Sequence, residues 1–248
     1  ETSDKVLIPL IKKWNLQNKS FLGGSEFKIE NLINILLKNR NIKTKKEKDE
    51  FLNPKLENVT IKNVGIDEKN LNKALKRIEK SVNGREQIII FGDYDVDGIC
   101  GSAILWETLN KLGAKVLPYI PHRVDEGYGL SVKGISNVKF QISNVKLIIT
   151  VDNGIVANDA VDFAKKQGID VIITDHHVLG KKPPKAYAIV HTTKLCGAGV
   201  AYLLTQNIKY QISNIKYSSD DNHLELVALA SIADLVPLTG STRTLVKY

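Results

Sequence analysis

From residue 86 onward, short apolar runs rich in branched side chains alternate with amphipathic stretches of helical length. The apolar runs lie at residues 88–91, 116–120, 147–151, 171–174 and 186–190. Predicted helices lie at residues 99–112, 157–167, 199–208 and 224–235. Strands alternating with helices in this way are typical of a parallel sheet that is buried on both faces. We therefore predict an α/β fold, in which a parallel, doubly wound sheet of about five strands is flanked by helices.

Residues 1–85 differ from the rest of the chain in charge. They contain 19 Lys and Arg residues against 11 Asp and Glu residues, whereas residues 86–248 contain 16 of each. Apolar residues at helical spacing predict that residues 1–85 form a mainly helical N-terminal segment, which packs on a domain formed by residues 86–248. A basic segment beside a neutral domain suits an anionic polymer such as a nucleic acid. A solvated, lysine-rich surface is the plainer alternative.

Composition excludes several classes of protein. The two cysteines, Cys100 and Cys196, are too few for a disulfide framework, and we expect both to be reduced core residues. No apolar run approaches the roughly 18 residues that cross a bilayer, and residues 1–20 lack the apolar region of a signal peptide. We therefore expect a cytoplasmic protein with no membrane partner. The absence of methionine and the abrupt end at Tyr248 lead us to expect part of a longer protein.

Acidic residues and histidines follow three of the predicted strands. The first strand is followed by Asp-Tyr-Asp-Val-Asp-Gly at 93–98, the third by Asp-Asn-Gly at 152–154, and the fourth by Asp-His-His at 175–177. Because ligands of parallel α/β sheets bind beyond the carboxyl ends of the strands, these side chains should gather in one crevice. The candidate site residues of this crevice are Asp93, Asp95, Asp97, Asp152, Asp175, His176 and His177.

So many carboxylates in one crevice would repel one another, and their pKa values would rise unless cations compensated the charge. Oxygen ligands with one or two imidazoles favour Mn²⁺ or Mg²⁺ over Zn²⁺. Two such ions about 3.5–4 Å apart activate water and stabilise the leaving oxygen of a phosphoester. Asp152 lies centrally among the motifs, where a carboxylate can bridge two ions. Taken singly, the three motifs also fit a calcium-binding loop, a turn and a helix cap.

Three residues outside these motifs are further candidates. Asp234 lies near the end of the apolar helix predicted at 224–235, where a solitary buried carboxylate is costly and the helix end disfavours anions. We therefore predict that Asp234 is a metal ligand. His191 ends the fifth strand and could either line the site or be structural, and we interpret His223 as a surface histidine.

Two segments are candidates for binding a phosphate. His122 and Arg123 follow the second strand, where Arg123 could clamp a phosphate or pair with a neighbouring loop acid. The second segment opens the helix predicted after the fifth strand, where free backbone N–H groups could hold a phosphate. Its residues are Gly197, Ala198 and Gly199. Close packing of the helix through these small residues is an equal alternative.

These motifs resemble those of the DHH phosphoesterase superfamily, and within it the RecJ family of single-strand-specific 5′→3′ DNA exonucleases. Asp-His-His at 175–177 marks the superfamily. Pro-His-Arg at 121–123 with Gly-Tyr-Gly-Leu at 127–130, and Ala-Asp-Leu-Val-Pro-Leu at 233–238, indicate RecJ. Further similar stretches lie at residues 37–42, 51–54, 94–98 and 239–248, so the resemblance covers most of the chain.

The resemblance implies a role for each candidate residue. The metal ligands would be Asp95, Asp97, Asp152, His176 and Asp234. Asp93 and Asp175 would be supporting carboxylates that orient ligands. His177 would contact the scissile phosphate. Phosphate contacts would come from His122, Arg123 and the turn at Gly197, Ala198 and Gly199.

The implied function is hydrolysis of single-stranded DNA from the 5′ end with release of mononucleotides, in DNA repair and recombination. The resemblance implies single-strand-binding protein and a helicase as partners. An oligoribonuclease or a cyclic-dinucleotide phosphodiesterase is the alternative within the superfamily, and a non-catalytic replication scaffold is a remote one. Residues 191–196 are shorter than the usual RecJ loop, and the DHH-associated domain and OB-fold of RecJ enzymes are not expected within residues 1–248.

Overall fold

The computed structural model describes residues 29–212 and 222–248, so the first 28 residues of the predicted N-terminal segment lie outside it. Before the sheet come helices α1 Ile29–Asn39, α2 Lys45–Leu52, α3 Ile61–Val64 and α4 Glu68–Asn83, with a 3₁₀ turn at Leu56–Asn58. The strands are β1 Gln87–Phe91, β2 Val116–Tyr119, β3 Val145–Val151, β4 Asp170–Asp175 and β5 Ala188–His191. The remaining helices are α5 Val96–Lys111, α6 Arg123–Glu126, α7 Val132–Gln141, α8 Asn158–Lys166, α9 Gly197–Gln211, α10 Leu224–Ala233 and α11 Gly240–Lys247.

The five strands form one parallel sheet in the order β2-β1-β3-β4-β5. Both faces of this sheet are covered, as β1 illustrates. Ile88 and Ile90 belong to the core shared with α4, α5, α9 and α10. Ile89 and Phe91 belong to the core on the other face, shared with α7 and α8. Burial on both faces explains why the strands are continuous apolar runs. The predicted doubly wound α/β fold is confirmed.

Several helix bounds differ from the predicted ones because a capping residue decides them. The helix predicted at 99–112 begins at Val96, because Asp95 Oδ1 accepts a hydrogen bond from Gly98 N at 2.9 Å. Helix α7, which the apolar pattern does not predict, begins after Ser131, whose hydroxyl accepts from Gly134 N at 2.9 Å. These short polar caps are easy to overlook where the apolar pattern is weak.

The described residues up to Lys48 and those from Asp49 to Tyr248 belong to two separate units. In the first unit, Glu47 and Thr44 form a capping box: Glu47 Oε2 accepts from Thr44 N at 2.8 Å, and Thr44 Oγ1 accepts from Glu47 N at 3.1 Å. In the second unit, α4 shares its core with the sheet. The predicted domain boundary at residue 85 stays a prediction. No helix within the described ranges is long and apolar enough to cross a bilayer.

A buried cation joins α4 to the amino ends of the strands. The Arg77 guanidinium lies 2.6 Å from Asp170 Oδ2 and 2.7 Å from Glu86 Oε2, and it donates to the Lys146 carbonyl at 3.1 Å. Arg77 is 5% exposed, so it depends on these partners for its solvation. The cluster lies at the edge of the sheet opposite the candidate site.

Candidate metal centre

The carboxyl ends of three adjacent strands deliver the predicted acids to one place. Asp93 lies two residues after β1, Asp152 directly follows β3, and Asp175 is the last residue of β4. The strand ends lie side by side, with Phe91 opposite Thr150 and Val151 opposite Thr174. The side chains of Asp93, Asp97, Asp152 and Asp175 are buried. Sheet topology therefore brings together residues that are distant in the sequence.

Three overlapping groups of side chains have ligand atoms within 4.8 Å of one another. These groups are Asp93 with Asp95 and Asp152, Asp152 with His176 and His177, and Asp97 with His176 and Asp234. Asp152 and His176 each belong to two groups. Asp152 therefore lies where the sequence analysis expects a bridging carboxylate. Asp93 is close enough to Asp95 and Asp152 to bind a metal ion itself, as well as to support the other ligands.

Two buried polar atoms at the centre of the cluster have no hydrogen-bond partner among the described residues, namely Asp152 Oδ1 and His176 Nε2. They lie 3.0 Å apart, but their geometry is not that of a hydrogen bond. His176 Nε2 also lies 3.6 Å from Asp97 Oδ2 and 3.7 Å from Asp234 Oδ2. Buried polar atoms without partners are costly. A divalent cation that accepts oxygen and imidazole ligands would satisfy them, so the residues present fit a metal ion.

Burial also perturbs the acids when no cation is bound. Burial, together with the charge of Asp97, raises the pKa of Asp152 to about 7. Burial likewise raises the pKa values of Asp97 and Asp93. A nearby cation favours the ionised form of a carboxylate and would offset these shifts. The electrostatics and the unpaired atoms therefore indicate the same kind of ligand.

Backbone N–H groups at the start of α9 bind Asp97. Gly197 N donates to Asp97 Oδ2 at 2.6 Å, Ala198 N donates to Asp97 Oδ1 at 2.7 Å, and Gly199 N donates to Cys196 Sγ at 3.4 Å. The prediction that Gly197, Ala198 and Gly199 offer free N–H groups to a phosphate is therefore wrong. A Cβ atom at Gly197 would lie 2.6 Å from Asp152 Cβ. The glycine is needed because α9 and the end of β3 approach so closely.

Asp175 fixes the two histidines that follow it. Its Oδ1 accepts from His176 N at 2.7 Å and from His177 N at 3.1 Å, and it lies 2.8 Å from His177 Nδ1. Its Oδ2 accepts from Ile155 N at 2.9 Å. Burial alone would raise the pKa of Asp175, but these hydrogen bonds lower it below its ordinary value. The hydrogen bond to Asp175 in turn raises the pKa of His177 to about 9.

Asp234 is the C-terminal capping residue of α10, and its N–H donates to the Ala230 carbonyl at 2.9 Å. Its side chain is 32% exposed, so the expectation that this carboxylate is buried is wrong. The side chain nevertheless lies beside His176 and Asp97, where it completes one of the three groups. Its position at a helix C-terminus, which disfavours an anion, agrees with a neighbouring cation.

Arg123 and His122 lie on an exposed loop and short helix after β2. The Arg123 guanidinium stacks over the Tyr94 ring, 4.8 Å from its centroid. His122 Nδ1 lies 2.7 Å from Asp125 Oδ2. Arg123 is therefore held beside the Asp93–Asp97 motif through an aromatic ring, whereas His122 has a local acidic partner. The predicted phosphate role of these two residues stays a prediction.

Tyr128 is the site residue to which the sequence analysis gave no role. Its hydroxyl lies 3.4 Å from His177 Nε2 and 3.5 Å from the Asp152 carbonyl oxygen. Its ring meets those of Tyr94 and His177 edge to face. Burial and the nearby aspartates raise the pKa of Tyr128, so its hydroxyl keeps its proton. The only sequence signal for this residue was its place between two glycines.

The two remaining histidines are both held by protein partners. His191 Nε2 lies 2.7 Å from the His177 carbonyl oxygen and so supports the Asp-His-His turn from β5. His223 is 6% exposed and lies 2.8 Å from Glu107 Oε2, which joins α10 to α5. The interpretation of His223 as a surface histidine is therefore wrong.

Comparison with known proteins identifies the family of the chain. The family model described as "DHH family, N-terminal domain" matches residues 87–231. The chain belongs to the DHH family. The matched range contains every predicted site residue of the chain except Asp234, which lies three residues beyond it. The resemblance inferred from the motifs is confirmed.

This DHH-family chain is 39% identical over 184 residues to the single-stranded-DNA-specific exonuclease RecJ of Bacillus subtilis. The matched region covers 71% of this chain and 22% of that protein. It is similar to the structure of Thermus thermophilus RecJ in complex with Mn²⁺, with a TM-score of 0.64 and 33% identity over 80% of this chain and 28% of that one. For the Mg²⁺ complex from the same organism, the TM-score is 0.53 and the identity 29%, over 85% of this chain and 26% of that one. The chain spans about a quarter of the length of these relatives.

Proposed function

We propose that residues 86–248 form the catalytic domain of a metal-dependent phosphodiesterase. Its substrate would be single-stranded DNA, degraded from the 5′ end to mononucleotides in DNA repair and recombination. The observation that carries this proposal is the set of three overlapping groups of metal-ligand type, at whose centre Asp152 Oδ1 and His176 Nε2 are buried without a hydrogen-bond partner among the described residues. The relatives with single-stranded DNA and Mn²⁺ or Mg²⁺ in their names support the choice of substrate and ions.

In this proposal, the residues that hold two divalent ions, Mn²⁺ or Mg²⁺, are Asp95, Asp97, Asp152, His176 and Asp234. Asp93 supports them and is close enough to bind as well. Two ions bound here would supply Lewis-acid stabilisation of the charge on a phosphoester. Asp97 and Asp175 are held by backbone N–H groups, so protein contacts fix one ligand and the acid that orients the two histidines.

The other side chains act on the phosphate. Asp175 holds the His177 ring through a hydrogen bond to Nδ1 and raises its pKa in the metal-free protein. From this position His177 would contact a phosphate oxygen. Arg123, stacked on Tyr94, and His122 would bind phosphate groups at the rim of the site. The basic residues 1–85 would help to guide the strand. A cytoplasmic location and partnership with single-strand-binding protein and a helicase stay predictions.

The test compares hydrolysis of one single-stranded DNA oligonucleotide that carries its label at the 5′ end or at the 3′ end, with Mn²⁺ and with Mg²⁺. A 5′ label should appear at once as a mononucleotide, whereas a 3′ label should pass through a ladder of shortened strands. Asp152→Asn should reduce the rate by more than about a hundredfold. Asp159→Asn, an exposed substitution in the first turn of α8, should leave it unchanged.

The remaining outcomes separate the alternatives. Cleavage of short RNA or cyclic dinucleotides, with long DNA left intact, would replace the exonuclease by the alternative phosphodiesterase within the same family. DNA binding without hydrolysis of any of these substrates would favour the non-catalytic scaffold. Full activity of Asp152→Asn would show that the metal centre is assigned to the wrong residues.

A further inference from the structure

Asn153 has a buried side-chain amide that joins the ends of two strands to one loop of the site. Its Nδ2 donates to the Phe91 carbonyl at 3.0 Å and to the Val151 carbonyl at 2.9 Å. Its Oδ1 accepts from Leu130 N at 3.0 Å. The residue is 1% exposed, so all three bonds form away from water. Both N–H donors of the amide are used, and its oxygen is paired as well.

Each of these partners lies within two residues of a side chain of the candidate site. The Phe91 carbonyl ends β1, two residues before Asp93, and the Val151 carbonyl ends β3, immediately before Asp152. The Leu130 N–H follows Tyr128 and Gly129 in the loop after α6. One amide therefore connects the ends of two central strands to the loop that carries Tyr128.

The loop lies tightly against this amide. Gly129 has a φ of +63°, and a Cβ atom at this position would lie 3.1 Å from Asn153 Cβ. Immediately before it, the Tyr128 hydroxyl lies 3.4 Å from His177 Nε2. A displacement of the loop away from Asn153 would therefore move this hydroxyl away from His177.

Only a side-chain amide suits the three partners. Two of them are carbonyl acceptors and the third is an N–H donor, so the partner group needs two donors and an acceptor in one plane. An aspartate would place a carboxylate oxygen against two carbonyl oxygens. Leaving a buried polar group unpaired is costly, so the loop would move to regain water rather than keep its place.

We propose that Asn153 is a positioning residue, which holds the loop at residues 127–130 against the ends of β1 and β3 and so keeps the Tyr128 hydroxyl beside His177. The contacts of Asn153 do not depend on any activity, whereas its effect on turnover rests on the proposed phosphodiesterase function. Asn153 acts through Tyr128, which faces the same space as the phosphate-directed His177.

The test uses Asn153→Asp, with Asn72→Asp as a matched control at an exposed position of α4. Amide hydrogen exchange is followed in protein labelled with ¹⁵N-leucine and ¹⁵N-isoleucine. Leu130 N–H should exchange at least about tenfold faster in Asn153→Asp, because its acceptor has moved. Ile155 N–H, which is bound to Asp175, should keep its protection. Unchanged protection of Leu130 would overturn the proposal.

A kinetic cycle tests the effect on turnover. Asn153→Asp and Tyr128→Phe should each lower kcat, by about 10- to 100-fold for a misplaced group, with little change in KM. The double variant should be no slower than the slower single variant, because both changes remove the same positioned hydroxyl. Losses of kcat that simply multiply would overturn the route through Tyr128.

Two safeguards keep the outcomes distinct. If Asn153→Asp does not fold, Gly129→Ala takes its place, because the added methyl group presses on the same contact from the loop side. A wild-type protein without hydrolytic activity would refute the proposed function. Loss of Leu130 protection in the variant would still support the contact made by Asn153, so the two failures can be told apart.

Discussion

Replacing Asp175 by asparagine should return His177 to ordinary titration. In the metal-free protein, the hydrogen bond from His177 Nδ1 to Asp175 Oδ1, 2.8 Å long, is the main cause of a His177 pKa of about 9, against an ordinary value of 6.5. Asparagine has no charge, and its amide nitrogen would face either the imidazole or the Ile155 N–H. The pKa of His177 should therefore fall by about two units, toward 6.5.

The magnitude for stability follows from the same two pKa values. The difference of about 2.5 between these two pKa values corresponds to at most about 3.4 kcal/mol. His177 is 46% exposed, so solvent screening reduces the expected contribution to about 1 kcal/mol. Because the folded-state pKa is raised, this stabilisation is fully present below about pH 6.5 and is lost as the pH rises through about 9. The loss in the free energy of unfolding caused by Asp175→Asn should therefore become smaller as the pH rises from about 6.5 to about 9.

The assay is an NMR titration of the histidine Cε1 protons in the presence of a chelator, for the wild-type protein and Asp175→Asn. Asp159→Asn, which removes an exposed carboxylate, is the matched control and should leave His177 unchanged. Urea denaturation at pH 6.5 and pH 9.5 measures the accompanying change in the free energy of unfolding. A His177 titration midpoint that stays near 9 in Asp175→Asn would refute the assignment of Asp175 as the residue that controls this imidazole.

Three other expectations concern metal affinity and stability. Affinity for Mn²⁺, measured by calorimetry, should rise at least about tenfold per pH unit below about pH 7, because Asp152 and His176 must each lose a proton to bind; a flat profile would contradict this. Gly197→Ala should lower the free energy of unfolding by about 1–3 kcal/mol, whereas Gly180→Ala, whose Cβ would meet only a side chain at 3.4 Å, should change it little. Arg77→Met should cost about 2–4 kcal/mol in urea denaturation by leaving Glu86 without its buried partner, and a loss below about 0.5 kcal/mol would argue against the ion cluster.

The fold could be predicted from the sequence because its signals are local. The runs at 88–91 and 147–151 are apolar at every position or nearly so, and only strands buried on both faces require that pattern. The acids of the site directly follow these runs, so the topology of a parallel sheet was enough to bring them together. Helix starts were less certain, because Asp95 and Ser131 act as caps through single hydrogen bonds.

The errors concern contacts between residues that are distant in the sequence. The N–H groups of α9 are occupied by Asp97, which lies 100 residues before Gly197. His223 is buried by a partner 116 residues away, Glu107. Tyr128 reaches His177 across 49 residues. The amino-acid pattern around each residue carries no information on such a partner until the packing of α5, α9 and α10 is known.

The arrangement of satisfied and unsatisfied polar atoms defines which parts of the site depend on a cation. The carboxylates of Asp97 and Asp175 are fixed by backbone N–H groups, so protein contacts determine their positions. Asp152 Oδ1 and His176 Nε2 have no such partners among the described residues. Asp234 lies at the C-terminal end of α10, where the helix itself disfavours an anion. A bound cation should therefore stabilise the positions of these three side chains most. Its binding should protect the ends of β3 and α10 more than the loops that backbone hydrogen bonds already hold.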